Sequence, residues 1–236
     1  MKLKSFGCSF VFGTDLADAG TGKMYPPPSQ HTWPALLAKH LSYDYECFAR
    51  PGSGNLQIAE RVLSHCTNPE PSFYVIGWSW IDRFDFTKST ISNVPVDSKW
   101  KYWQTLVPAD SDQMAEMYYK ELHSEYRDKL CNLMYIKLII DSLQQRKILF
   151  LMTYQDNLLF DQRWNHTPAV LDLQNQIKPY MIDFEGKTFL EWSRDKGFEI
   201  SSTMHPLEQA HQAATDYMIS VFDTQKTIDP TQPAHV

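Results

Sequence analysis

The sequence predicts an α/β fold in which helices cover a parallel sheet on both faces. Three observations point to it. Strand-like runs at Leu3 to Phe6, Asp44 to Phe48, Phe73 to Ile76 and Lys147 to Thr153 alternate with stretches whose apolar residues recur at helical spacing. Phe73 to Ile76 is apolar at every position, as a strand buried on both sides should be. The 236 residues, 43% hydrophobic and 21% charged, suit one folded domain with elaborated loops. That composition excludes a disordered tail, a collagen-like fibre and a low-complexity linker.

Leu3 to Phe6 reads as a buried strand that runs into a tight loop at Gly7-Cys8-Ser9. A loop with Gly20, Gly22 and Pro26 to Pro28 follows. Thr32 then caps a helix, with Pro34 just inside its start and Leu36, Leu37 and Leu41 on one face. Arg50 to Asn55 breaks the second strand and opens a helix bearing Leu56, Ile58, Val62 and Leu63, which ends before Pro69 and Pro71. Residues 84 to 110, with Pro95, Pro108, Trp100 and Trp103, read as an irregular insertion suited to a lid.

A long helical pattern runs from Asp112 to Gln145, with a break near Ser124. Asp156 to Lys178 is partly helical around Leu158 to Trp164 and is broken at Pro168. Thr188 caps a short helix that runs through Asp195 and ends at Gly197. Phe198 to Ile200 is a short last strand, and Leu207 to Phe222 an amphipathic helix. The expected organisation is a single domain over residues 1–223, an insertion over about 84–145, and a frayed tail over 224–236.

Composition bounds the partners. With 22 Lys and Arg against 28 Asp and Glu, the net charge of −6 argues against non-specific nucleic-acid binding. No run approaches the roughly 20 apolar residues that span a bilayer, and the N-terminal apolar stretch is too short for a signal peptide. Cys8, Cys47, Cys66 and Cys131 are too far apart for a zinc cage or a disulfide framework. Reduced thiols, a cytoplasmic location and no metal or cofactor are expected, with a small-molecule ester as the partner rather than nucleic acid or membrane.

In such a fold the loops beyond the carboxyl ends of the strands form the site. Ser9 lies on the first of them. A hydroxyl there is a nucleophile once a base takes its proton, or simply a turn cap. His205, just before Pro206 and the last helix, is the candidate base, or an exposed loop histidine. His211, inside that helix, reads as structural. Gly52-Ser53-Gly54-Asn55 supplies backbone N–H groups at a helix start, suited to an oxyanion, to a phosphate or only to a turn. Arg83 follows the third strand and suits either a substrate anion or a structural ion pair. Trp78 and Trp80 suit sugar stacking or core packing.

Taken together these segments resemble the SGNH (GDSL) hydrolases. Gly7-Cys8-Ser9-Phe10 resembles the family's Gly-Asp-Ser-Leu block, and Thr32 to Leu37 its Trp-Pro-x-Leu-Leu helix start. Ala49 to Asn55 is similar to the second block. Ile76-Gly77-Trp78-Ser79 falls at the third, and Met204-His205-Pro206 resembles the last.

The resemblance implies a flavodoxin-like three-layer α/β/α fold and ester hydrolysis through an acyl-serine, with O-acyl groups on a carbohydrate as a substrate. It implies Ser9 as nucleophile and His205 as base. The oxyanion donors would be the Ser9 backbone, the Gly52 or Gly54 backbone and a third-block side chain; counting back from the helix favours Gly52. Three departures stand out: Cys8 replaces the family's Asp, Ser79 stands nearest its Asn, and Ser202 occupies the place of the acid that orients the histidine. Ser202, or Asp156 beyond the fourth strand, is the expected substitute for that acid, although Asp156 also suits a helix cap. The alternative function is a non-catalytic module of the same fold that binds a glycan or a protein.

Overall fold

The computed structural model describes residues 1–19, 26–67, 70–87 and 103–226. Four parallel strands form the central sheet in the order β2-β1-β3-β6: β1 (Lys2–Phe6), β2 (Asp44–Cys47), β3 (Ser72–Trp78) and β6 (Leu149–Tyr154). Ser5 pairs with Cys47 and Val75, and Gly77 pairs with Thr153. The carboxyl ends of the strands therefore lie together at one edge. Parallel strands need crossovers, and helices supply them. They are α2 (Trp33–His40), α3 (Asn55–Cys66) and α5 (Glu125–Gln145).

The continuous apolar runs follow from burial on both faces. Phe73, Val75 and Leu151 point into a layer with Trp33, Leu37, Phe189 and Met218. Tyr74, Ile76, Trp78 and Met152 point the other way, against Ile58, Val62, Ile136 and Ile140. The period-two alternation of a strand thus feeds two cores rather than one core and solvent. Helix α8 (Glu208–Lys226) packs beside α2 on the first face. Helix α6 (Pro168–Ile177) packs beside α5 on the second.

Several elements differ from expectation. Within the insertion, β4 (Phe84–Thr87) and β5 (Trp103–Leu106) pair as an antiparallel ribbon. Residues 88–102, with Pro95 and Trp100, lie outside the described residues, as do Gly20, Gly22, Pro69 and the tail from 227. The long helical pattern divides into α4 (Gln113–Met117), a π-helical turn (Tyr118–Leu122) and α5, because Ser124 accepts the Arg127 N–H and starts a new helix.

Pro168 opens α6 rather than breaking a helix, since a first-turn position needs no N–H. Residues 198–200 add no strand to the sheet. They fold back on their own chain, with the Ser201 N–H on the His205 carbonyl and the Leu207 N–H on the Glu199 carbonyl. Helix α7 (Phe189–Asp195) begins with the expected Thr188 cap, here a full capping box with Glu191. No disulfide joins the four cysteines. Among the described residues, no helix is long and apolar enough to cross a membrane.

Candidate active site

Ser9 opens α1 (Ser9–Phe12), a single turn at the carboxyl end of β1. Gly7 admits this turn because its own Cα is crowded: a Cβ there would come within 2.6 Å of the Val11 side chain. Cys8 is fully buried in the core, where it acts as a small apolar side chain. Ser9 is largely buried, and among the described residues its hydroxyl has no hydrogen-bond partner. Its N–H is the first of the turn and has no acceptor within it.

His205 lies on the loop ahead of α8. Its ring meets the Phe10 ring edge-on at 5.2 Å between centroids, so the residue after Ser9 packs on the imidazole. The Nδ1 atom is 2.7 Å from Asp15 Oδ2. The same carboxylate oxygen accepts the hydroxyls of Ser201, at 2.7 Å, and of Thr203. Burial pushes the Asp15 carboxyl up, but the hydrogen bonds from Thr203, Ser201 and His205 outweigh it and hold its pKa below the usual value. Asp15 is thus ionised at neutral pH. The His205 contact orients the ring with Nε2 away from the acid, and Nε2 has no hydrogen bond among the described residues.

The local backbone is shaped for this contact. Asp15 and Met204 both hold left-handed φ of 72°. Aspartate visits that region readily and methionine does not, so the His205 loop carries strain where it meets the acid. The Ser201 hydroxyl also accepts the His205 N–H at 3.1 Å, and the Ala17 N–H donates to Glu208 at 2.8 Å. The first bond braces the His205 loop internally, and the second ties the loop after Ser9 to the start of α8.

This arrangement corrects the expectation for Ser202 and decides between the two readings of Asp156 in favour of the cap. Ser202 is exposed and makes no hydrogen bond to His205. Asp156 accepts the N–H groups of Ile81 and Leu158, which makes it a cap, and burial raises its pKa. The carboxylate that meets His205 is that of Asp15, which the sequence did not single out. The loop after Ser9 holds two aspartates, and nothing local separates them; Asp18 instead binds Ser29 and the Gln30 N–H.

The second turn behaves differently at its two glycines. Gly52 holds a left-handed φ of 82° and its N–H has no hydrogen bond among the described residues. Gly54 is engaged: its N–H donates to Asp85 Oδ1 at 3.0 Å, and a Cβ there would collide with that carboxylate at 2.6 Å. Asp85 comes from β4 and also accepts the Gln57 N–H, so it caps α3 from the insertion. The Gly54 N–H is therefore occupied, while that of Gly52 is open among the described residues.

At the third turn, the Asn55 side chain accepts the Ser79 N–H at 2.7 Å and donates to the Ser79 carbonyl at 3.0 Å. Ser79 is held rigidly, and its buried hydroxyl lacks a partner. Trp78 is fully buried, with its N–H on the Met152 sulfur at 3.4 Å, and is a core residue rather than a binding one. Arg83 makes no ion pair among the described residues: it donates to the Ser53 carbonyl at 3.0 Å and stacks on Trp80 at 4.8 Å.

A cleft of about 500 Å³ opens beside Gly52, bounded by Phe12, Arg50, Trp103 and Asp110. A second, of about 590 Å³, is bounded by Asp15, Leu16, Phe12 and Pro51. Phe12 and Pro51 belong to both, so the two adjoin, while Ser9 and His205 line neither.

No family model and no curated protein sequence matches this chain. Solved structures do. A family two carbohydrate esterase from Clostridium thermocellum is similar with a TM-score of 0.53 at 11% identity, over 96% of this chain and 64% of that one. A carbohydrate esterase family 2 enzyme from Corynascus thermopiles (Myceliophthora fergusii) is similar with a TM-score of 0.52 at 12% identity, over 94% and 65%. An acetyl xylan esterase from Butyrivibrio proteoclasticus is similar with a TM-score of 0.50 at 10% identity, over 96% and 64%. The chain spans just under two thirds of each. The likeness shows the fold: a mixed α/β architecture with a central parallel sheet, shared with these esterases.

Proposed function

We propose that this chain is a serine esterase with Ser9 as nucleophile, His205 as general base and Asp15 as the acid that orients it. The observation that carries this reading is the 2.7 Å contact between His205 Nδ1 and Asp15, on the loop that follows Ser9. Ser9 Oγ attacks the ester carbonyl while His205 Nε2 takes its proton. Asp15 fixes the tautomer and stabilises the imidazolium. The N–H groups of Ser9 and Gly52, neither with an acceptor of its own, receive the oxyanion, and the Ser79 hydroxyl adds a third donor. His205 then protonates the leaving alcohol, and water releases the acyl group by the reverse proton path. Ser9 and His205 are not hydrogen-bonded in the free protein; such contacts tighten on substrate binding.

Among esters, the proposed substrate is an O-acyl carbohydrate. Trp103 beside Gln57, Thr105 and Asp110 lines the cleft next to Gly52, and an aromatic face flanked by polar groups suits a sugar ring. A fluorophosphonate probe tests the chemistry: one label per chain at Ser9, lost in Ser9→Ala, is the expected result. Silence of the folded parent protein would favour the non-catalytic module, to which the replacement of the third-block Asn by Ser79 also points.

A further inference from the structure

Arg61 lies on α3 and is buried, with 8% of its surface exposed. Among the described residues no carboxylate stands within ion-pair distance of it. Its Nη2 donates to the Ser53 hydroxyl at 2.8 Å and to the Gly7 carbonyl at 3.4 Å, and its Nη1 reaches Gln57 at 3.5 Å. Its Nε has no partner. Burial, then the neighbouring Arg50, lowers its pKa to about 10, so the guanidinium remains charged at neutral pH.

A buried charge without a facing acid is destabilising relative to an apolar side chain of the same size. Stability therefore does not account for Arg61, but its contacts have a pattern. Gly7 is two residues before Ser9, and Ser53 directly follows Gly52. One planar fork thus joins the two turns that carry the free N–H groups. Other bonds brace the same points: the Arg50 N–H on the Gly7 carbonyl at 3.0 Å, and Arg83 on the Ser53 carbonyl.

We propose that Arg61 is a positioning residue for the reaction assigned to Ser9. It sets the spacing between the Ser9 and Gly52 N–H groups, and it places a positive charge behind the oxyanion they receive. The inference rests on the esterase reading above. Charge that develops only in the transition state is stabilised by a preorganised positive field, so the effect falls on kcat rather than KM.

The test uses the full chain with p-nitrophenyl acetate, and thermal unfolding as a check of folding. Arg61→Met is expected to remain folded, to keep KM, and to lose about 10- to 100-fold in kcat and in the rate of fluorophosphonate capture. Arg61→Lys, which keeps the charge and loses the fork, recovers part of that loss. A folded Arg61→Met with the parent kcat overturns the proposal and leaves the esterase reading standing. Should Arg61→Met fail to fold, Ser53→Ala decides, since it removes the 2.8 Å acceptor and leaves the charge: an unchanged kcat overturns the proposal and a several-fold loss supports it. A parent protein that neither turns over ester nor takes the probe overturns both.

Discussion

His205 and His211 stand six residues apart on one stretch of chain, yet the fold gives them opposite properties. His205 is on a loop at the carboxyl edge of the sheet, with Nδ1 on an ionised aspartate and Nε2 unbonded. His211 is inside α8 and buried, and its Nδ1 accepts the Trp33 N–H at 3.1 Å. That bond completes the start of α2, where the Thr32 side chain makes no capping bond. Burial, with His205 as the lesser cause, lowers the His211 pKa to about 3. One imidazole therefore keeps a ring nitrogen open among the described residues, and the other stays neutral as a hydrogen-bond acceptor.

Substitutions sharpen this contrast. The largest expected effect is on turnover: His205→Ala should lower kcat by about 10⁴-fold or more with little change in the unfolding midpoint. Asp15→Asn follows, with an expected loss of about 10²- to 10⁴-fold in kcat, since the amide leaves the imidazole in the wrong tautomer. Steady-state kinetics on p-nitrophenyl acetate check both. An Asp15→Asn protein as active as its parent would separate Asp15 from the chemistry.

His211→Ala should do the reverse. It leaves a cavity and an uncapped helix, which together cost about 2–4 kcal/mol in urea denaturation, while kcat per folded molecule stays near that of the parent.

A smaller effect is the acid sensitivity that His211 confers. Its folded pKa of about 3 lies below the ordinary 6.5. Between those values the unfolded chain binds a proton that the folded chain refuses. Stability contributed by the neutral buried form is therefore complete above about pH 6.5 and declines as the pH falls toward 3. The slope from this one group is up to about 1.4 kcal/mol per pH unit. Denaturation at a series of pH values should show it, and His211→Gln should flatten it. The smallest expected effect is that of Ser202→Ala, which should leave kcat unchanged because nothing at that position meets His205; a marked loss would reinstate the family's usual position for the acid.

The same contrast shows how far the sequence reaches. Apolar runs and helix punctuation located β1, β3 and β6 and the starts of α2, α3 and α8 to within a residue or two, while α8 runs four residues past the expected Phe222, because a strand buried on both faces must be apolar throughout and a helix must start at a cap. The ordered blocks singled out Ser9, Gly52 and His205. The insertion was less legible: its ribbon is short, and Asp85 acts by reaching α3, not through any local pattern. Trp78 shows the converse limit, for a tryptophan beside a loop reads alike whether it faces a cleft or a core.

What the sequence determined by itself is local: alternation, caps, turns, and a hydroxyl and an imidazole on loops at one edge of a parallel sheet. The tertiary structure alone decided which groups meet across long separations. Asp15 and Asp18 are equivalent in sequence, but only Asp15 lies where the left-handed turn after α1 meets the His205 loop. The Gly54 N–H is taken by a carboxylate thirty-one residues away, while that of Gly52 is left open. Hydrogen bonds and charge pairs act over a few ångströms, and such distances between remote residues exist only once the chain has packed.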